Sequence, residues 1–276
     1  MRDFARPVTA ELRRLVVVSP HFDDAVLGCG QLLSAHAGAT VVTVLGGRPE
    51  SYPDQVTDWD ASGGFETGDD VVAARREEDR NALAVLDATP VWLEFSDHQY
   101  VPAEARYHAD DVAPALEAAL VGLDPTAVFF PFGLGNPDHV LTHRATRVVV
   151  ERHPEWAWFC YEDSGYKHIP GILAWRVSSL FRHKLWPTPA VVAVDPSRER
   201  KLRALACYVS QLPPLFQDLK DRLVGKAAQQ QRDDSETDHL REKQPWIPTE
   251  RVGSFLGRIQ DAAARLRENQ NARHIN

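Results

Sequence analysis

The chain has 276 residues, 43% of them hydrophobic and 25% charged, with a formal net charge of -8 at pH 7. That length allows one large domain or two small ones around a substantial core. The acidic balance argues against a general nucleic-acid binder and against docking on anionic lipid, and no stretch approaches the roughly 18 apolar residues of a membrane span.

Read in chain order, the first 160 residues alternate between two periodicities. Residues 15–19 (LVVVS) form a short β-branched run, and an apolar, helix-compatible stretch follows over 25–37, closed by Gly38. Residues 40–45 (TVVTVL) read as a second strand. Residues 69–86 read as a charged amphipathic helix, with Asp69 and Asp70 suited to its N-terminal end. A third strand is expected over 90–95, a helix over 110–120 that contains Pro114, a fourth strand over 127–132, a helix over 139–152 and a fifth strand over 156–161.

Strands fed by intervening helices imply an α/β fold, a Rossmann-like, mostly parallel sheet with helices on both faces. The strands are continuous apolar runs, as expected when both faces of the sheet are covered. Such sheets bind ligands beyond the carboxyl ends of their strands, near a switch in strand order. The expected organisation is a single domain over 1–276, with the core at about 14–160 and a smaller C-terminal α/β extension at about 161–276.

Two segments interrupt the pattern. Residues 46–68 are polar and rich in Gly, Pro and Asp, with Tyr52, Trp59 and Phe65 scattered among them. A connection of that length inside a domain reads as a substrate-facing loop, with a mobile surface excursion as the alternative. Residues 225–244 are more polar still and read as a flexible excursion, with a mobile lid as the alternative. Residues 248–268 then have the apolar spacing of a closing helix. The three cysteines, Cys29, Cys160 and Cys207, form no CxxC pair, and residues 1–14 have no apolar signal core, so reduced, mostly buried thiols in a cytoplasmic protein are expected.

Chemistry concentrates at two strand ends. After the first strand comes Ser19-Pro20-His21-Phe22-Asp23-Asp24, an imidazole with two adjacent carboxylates. One helix cap would explain one Asp, not both, and paired carboxylates at a strand's carboxyl end repel unless a cation lies between them. After the fourth strand comes Gly133-Leu134-Gly135-Asn136-Pro137-Asp138-His139, with His143 one helical turn on. Both clusters emerge at the same sheet edge and can converge. His21, Asp24 and His139 then make a two-histidine, one-carboxylate ligand set with an open position, the form of a catalytic zinc site. Zinc fits best, with iron(II) or another divalent ion left open.

These motifs resemble the LmbE-like or PIG-L family of zinc-dependent N-acetylglucosaminyl deacetylases. The resemblance extends to Arg75, Glu78, Ala82 and Leu86 on one helix, to Asp97 after the third strand, to Tyr161-Glu162 after the fifth, and to Lys201, Ala204, Tyr208, Ser210 and Gln211. It runs from about residue 14 to 212. It implies one zinc ion per chain on His21, Asp24 and His139, with Asp23 as general base and Asp138 orienting its neighbours. Arg75 is implied as a substrate-binding residue, and Trp59 is a candidate stacking surface for a sugar. The implied reaction is removal of an acyl group, an acetyl in this family, from the nitrogen of a small amino-sugar-type substrate. No nucleic acid and no stable membrane anchor enters this reading, and it leaves homo-oligomerisation open.

The sequence departs from the family pattern at Phe22, Ala25, Leu134 and, above all, Asn136, where the family usually has a histidine. Asparagine can donate a hydrogen bond to an oxyanion but cannot supply the proton that a leaving amine needs. Either Asp23 shuttles the proton it takes from water, or His98, His143 or His168 reaches the site. The competing reading is a metal-retaining, non-hydrolytic binding or regulatory protein of the same fold. A dinucleotide site is disfavoured, because no G-x-G-x-x-G follows the first strand.

Overall fold

The computed structural model describes residues 6–7, 12–192 and 198–215. The expected excursion at 225–244 and closing helix at 248–268 lie outside the described residues. The chain divides into two compact units, 1–211 and 212–276, and the architecture below belongs to the first.

In chain order the strands are β1 (Arg6–Pro7), β2 (Leu15–Ser19), β3 (Thr40–Thr43), β4 (Thr89–Trp92), β5 (Ala127–Pro131), β6 (Ala157–Tyr161) and β7 (Ala190–Val191). The helices are α1 (Asp24–Ala35), α2 (Asp58–Ser62), α3 (Val71–Val85), α4 (Ala109–Leu123), α5 (Pro137–Arg152), α6 (Ile172–Arg182) and α7 (Arg198–Leu205). Five strands form one sheet in the order β4-β3-β2-β5-β6, and all its pairings are parallel. β1 and β7 make a separate two-residue parallel pairing.

β2 is central because its residues are apolar on both sides, and all five are buried. Val16, Val18, Val42, Val44, Val128 and Phe130 face Val112, Leu116 and Leu120 of α4 and Ala145 and Val149 of α5. Each fully buried Val or Leu of this kind is worth roughly 1.5–3 kcal/mol relative to exposure. The alternate residues Leu15, Val17, Val41 and Phe129 are buried on the other side, where α1, α3 and α7 pack together. α1 approaches closely through Gly28, where a Cβ would lie 2.6 Å from the Tyr161 ring. That ring's Oη donates to Val18 O at 3.0 Å and ties β6 to β2.

Pro114 lies inside α4 on an exposed position, so the hydrogen bond it removes leaves a carbonyl that water can reach. Cys29 is buried, Cys207 half-buried and Cys160 exposed, which corrects the expectation of mostly buried thiols; none is disulfide-bonded. No helix among the described residues is long and apolar enough to cross a membrane.

The chain builds β2, β3 and β4 outward in one direction, then returns to place β5 against the other side of β2. The switch in strand order therefore lies between β2 and β5. Because every pairing is parallel, all five carboxyl ends lie along one edge, and the segments after β2 and β5 leave it side by side.

Candidate metal centre

Beyond β2 the chain turns tightly into α1. Ser19 Oγ donates to His21 O at 2.5 Å and accepts from Ala25 N–H at 2.9 Å, so one hydroxyl fixes both ends of the turn. Asp23 occupies the N-cap position of α1, yet its side chain makes no capping hydrogen bond. Asp24 Oδ2 instead accepts from the His21 backbone N–H at 3.0 Å. The two adjacent carboxylates thus have different environments, one bound into the turn and one left free of the cap.

Beyond β5, Gly133 and Gly135 both have positive φ, at +79° and +71°. At Gly135 a Cβ would meet the Tyr166 ring at 2.5 Å, so glycine is required there both sterically and conformationally. Asn136 then caps α5: its Oδ1 accepts from Asp138 N–H at 2.8 Å, and Pro137 follows in the first turn. Its Nδ2 faces Tyr166 Oη at 3.4 Å.

His21, Asp24 and His139 converge, with one potential ligand atom from each within 4.8 Å of the others. His21 Nδ1 lies 3.1 Å and His139 Nε2 3.3 Å from the same atom, Asp24 Oδ2. The far nitrogens are also occupied. His21 Nε2 is 3.1 Å from Asp138 Oδ2, and His139 Nδ1 is 2.5 Å from Asp163 Oδ1. A carboxylate behind each ring fixes its orientation and turns the other nitrogen toward the convergence point, as metal-ligating histidines require. This donor set fits a divalent ion such as zinc.

The electrostatics agree with that geometry. Burial works against the His139 imidazolium, but the Asp24 charge and the Asp163 hydrogen bond raise its pKa to about 9. Burial opposes the charged form of His21 too, and Asp138 and Asp24 still hold its pKa well above the ordinary value. Both rings are drawn toward a cationic partner, a proton or a metal ion, which compete for the same lone pairs. Burial and then the neighbouring Asp24 carboxylate push Asp23 up to about 7. Burial alone would raise Asp24, but the His139 charge and the hydrogen bonds from both rings hold it well below the usual carboxylate range.

Other residues singled out in the sequence take varied places. Asp138 is buried and accepts from His21 and from His98 Nδ1, the latter at 2.5 Å, and these contacts outweigh burial to hold its pKa low. His143 is buried on α5, where Nδ1 donates to Pro131 O at 2.9 Å. Burial and then the Arg176 charge depress its pKa to about 3. His168 lies on the turn after Asp163, where desolvation and then the Lys167 charge lower its pKa. Arg75 is buried, with Nη2 2.8 Å from Asp60 Oδ1 and its guanidinium over the Phe65 ring at 5.4 Å. Trp59 is half-buried on α2.

Sequence reasoning missed Asp163, the carboxylate behind His139. Its signal was an acidic residue just past the end of a predicted strand, at the same sheet edge as the two motifs. The resemblance named Glu78, Tyr208, Ser210 and Gln211 without a role, and the structure sets them, with Asp79, as supports beneath the turn. Tyr208 Oη lies 3.0 Å from Phe22 O and 2.8 Å from Asp79 Oδ1, while Glu78 accepts from Ser210 and Gln211.

The family described as PIG-L, GlcNAc-PI de-N-acetylase, matches residues 16–150 of this chain. Solved structures are also similar. The A40926 pseudoaglycone deacetylase is 26% identical, with a TM-score of 0.58, over 73% of this chain and 84% of that one. A deacetylase of the teicoplanin biosynthesis pathway, in complex with bog, is 27% identical with a TM-score of 0.58, over 79% of this chain and 92% of its own. The zinc-inhibited form of teicoplanin deacetylase is 26% identical with a TM-score of 0.57, over 79% and 92%. Comparison with curated proteins finds no match.

Proposed function

With residues 16–150 matching the PIG-L family model, we propose that this protein is a metal-dependent amide hydrolase that removes an acetyl or similar acyl group from the nitrogen of an amino sugar. The observation that carries this reading is the convergence of His21 and His139 on Asp24 Oδ2, each ring backed by its own carboxylate. The sugar-type substrate rests on the family description and on the printed names of the similar deacetylases.

One divalent ion per chain, zinc by preference, would be held by His21, Asp24 and His139. When bound, it supplies a polarising charge for the acyl carbonyl and lowers the pKa of water toward about 7. Asp23 accepts a proton from the attacking water, a role its uncapped position at the start of α1 leaves it free to take. Asp138 orients His21. Asn136 is a capping residue with an amide at the site and has no proton to give. Arg75 enters as the anchor of the 46–68 loop through Asp60. Trp59, on the helix of that loop, is the face offered to a sugar ring.

The test is metal content followed by turnover. Protein purified without chelator is expected to carry about one zinc per chain, and His139→Ala to lose it. Wild type is expected to release amine from N-acetylated amino sugars, and Asp23→Asn to keep the metal while kcat falls by about 100-fold or more. Bound metal without amine release from any member of a broad panel would favour the non-hydrolytic binding protein. No metal after reconstitution with zinc would sink the mechanism.

A further inference from the structure

Hydrolysis of an amide needs two proton transfers. One proton leaves the attacking water; another must reach the nitrogen as the C–N bond breaks, because an amide anion is too poor a leaving group. Asp23 serves the first transfer, and the side chain of Asn136 cannot serve the second. Resting on the hydrolase reading above, we infer that His98 delivers the proton to the leaving amine, oriented by Asp138 and held in place by the 46–68 loop.

Of the three histidines that could take this role, His143 is buried with its Nδ1 donated to Pro131 O, between Phe130 and Phe132. His168 lies on the turn beyond β6, where desolvation and then the Lys167 charge lower its pKa and disfavour the protonated form an acid needs. His98 stands on a single helical turn, His98–Tyr100, just past the carboxyl end of β4. Its Nδ1 is 2.5 Å from Asp138 Oδ2, the oxygen that also takes His21 Nε2 at 3.1 Å. One carboxylate oxygen therefore ties His98 to a ring of the metal set. A carboxylate on Nδ1 fixes the tautomer and orientation of an imidazole and leaves Nε2 to act on a substrate. The Nε2 of His98 makes no hydrogen bond among the described residues, and the side chain is 34% exposed, so the free nitrogen is open to a ligand.

The turn is held from outside. Gln99 Oε1 accepts from Thr57 Oγ1 at 2.8 Å, and Tyr100 Oη donates to Asp60 Oδ2 at 2.7 Å. Thr57 and Asp60 both belong to the 46–68 loop, with Asp60 in α2, and Asp60 is in turn paired with Arg75. Both residues that follow His98 are thus fastened to the long loop. The loop positions the proton donor, which gives Arg75 and Asp60 a role at the reaction without contact to the substrate.

In the step itself, the electron pair of the C–N bond goes to nitrogen, which takes the proton from His98 Nε2. The acyl carbonyl re-forms as the carboxylic product. Asp23 then releases the water proton to solvent, and His98 recovers one from solvent.

The experiment compares two probes on the zinc-loaded protein: N-acetylglucosamine, whose amine needs a proton, and p-nitrophenyl acetate, whose phenolate leaves without one. His98→Gln is expected to lower kcat on the amide by about 100-fold or more and on the ester by less than about 3-fold, with KM unchanged. Its zinc content should equal that of wild type. Imidazole in the buffer should restore part of the amide activity of His98→Ala. Thr57→Val, which frees Gln99 without touching the site, should lower amide turnover and spare the ester. Equal losses on both probes, or undiminished amide turnover, would overturn the donor assignment while leaving the hydrolase intact. Loss of zinc would make His98 a ligand and overturn it too. A wild type that cleaves neither probe would instead overturn the hydrolase reading, and this inference with it.

Discussion

His139 and His143 lie one turn apart on α5, yet their surroundings shift their pKa values in opposite directions. His139 sits between Asp24 and Asp163, and its pKa rises to about 9. His143 faces aromatic rings and the Arg176 charge, and its pKa falls to about 3. A residue name says nothing of this difference; the neighbours decide it. For His143 the consequence is a stability effect. The unfolded chain takes up a proton near pH 6.5 that the folded chain refuses until about pH 3, so stability is full above pH 6.5 and is lost as pH falls below it. Between pH 7 and pH 5 this one residue should cost about 2 kcal/mol. His143→Gln can keep a donor toward Pro131 O without the charge. Denaturant titrations at the two pH values should show that much less pH dependence in the variant than in wild type, and equal slopes would exclude the effect.

Among the elements, the 46–68 loop departs most from what its composition implies. Its polar, glycine-rich sequence reads as a substrate-facing loop and signals no helix, whereas the structure builds it around α2 and fastens it at several points. Thr57 caps α2 through Asp60 N–H, Tyr52 Oη donates to Asp70, and Asp60 is buried against Arg75. The isolated segment has too little apolar surface to order itself; long-range partners on α3 and after β4 supply the order. Arg75→Met should therefore act as removal of one member of a buried ion pair, leaving the Asp60 charge uncompensated. A loss of about 3–5 kcal/mol is expected in chemical denaturation. A variant as stable as wild type would show that the pair does not hold the loop. The neighbouring Arg76 makes a useful contrast: its partner Glu94 is largely exposed, and Arg76→Met should cost far less.

On the scale of the whole molecule, the candidate metal set of His21, Asp24 and His139 joins the segments after β2 and β5, with Asp97 and His98 after β4 and Asp163 after β6 around it. An ion there binds the folded chain and not the separated segments, so it stabilises the fold by mass action. At a free zinc concentration 1,000 times Kd the gain is about 4 kcal/mol. Chelation should lower Tm by roughly 10 °C, and added zinc should restore it. His139→Ala should melt at one temperature with or without chelator. A wild-type Tm indifferent to chelator would argue against an ion at this site.

What the sequence determined by itself was the sheet and the two motifs. The apolar and β-branched runs at 15–19, 40–45 and 127–132 are local signals, strong because both faces of each strand are buried, and the five strands of the sheet differ from the expected ones only at their ends, whereas the two-residue β1 and β7 were not anticipated. His21, Asp24 and His139 were legible because each follows directly from a strand whose carboxyl end a parallel sheet brings to one edge. The tertiary structure alone decided what stands behind them. Asp163 backs His139, Asp138 joins His21 to His98, and Asp60 fixes the turn that carries His98. These partners lie 24, 117, 40 and 40 residues apart along the chain. No periodicity or spacing encodes such pairs. Strand order and the packing of loops over the sheet edge bring them within hydrogen-bonding distance, and the low dielectric of the buried site then sets the charge each one carries.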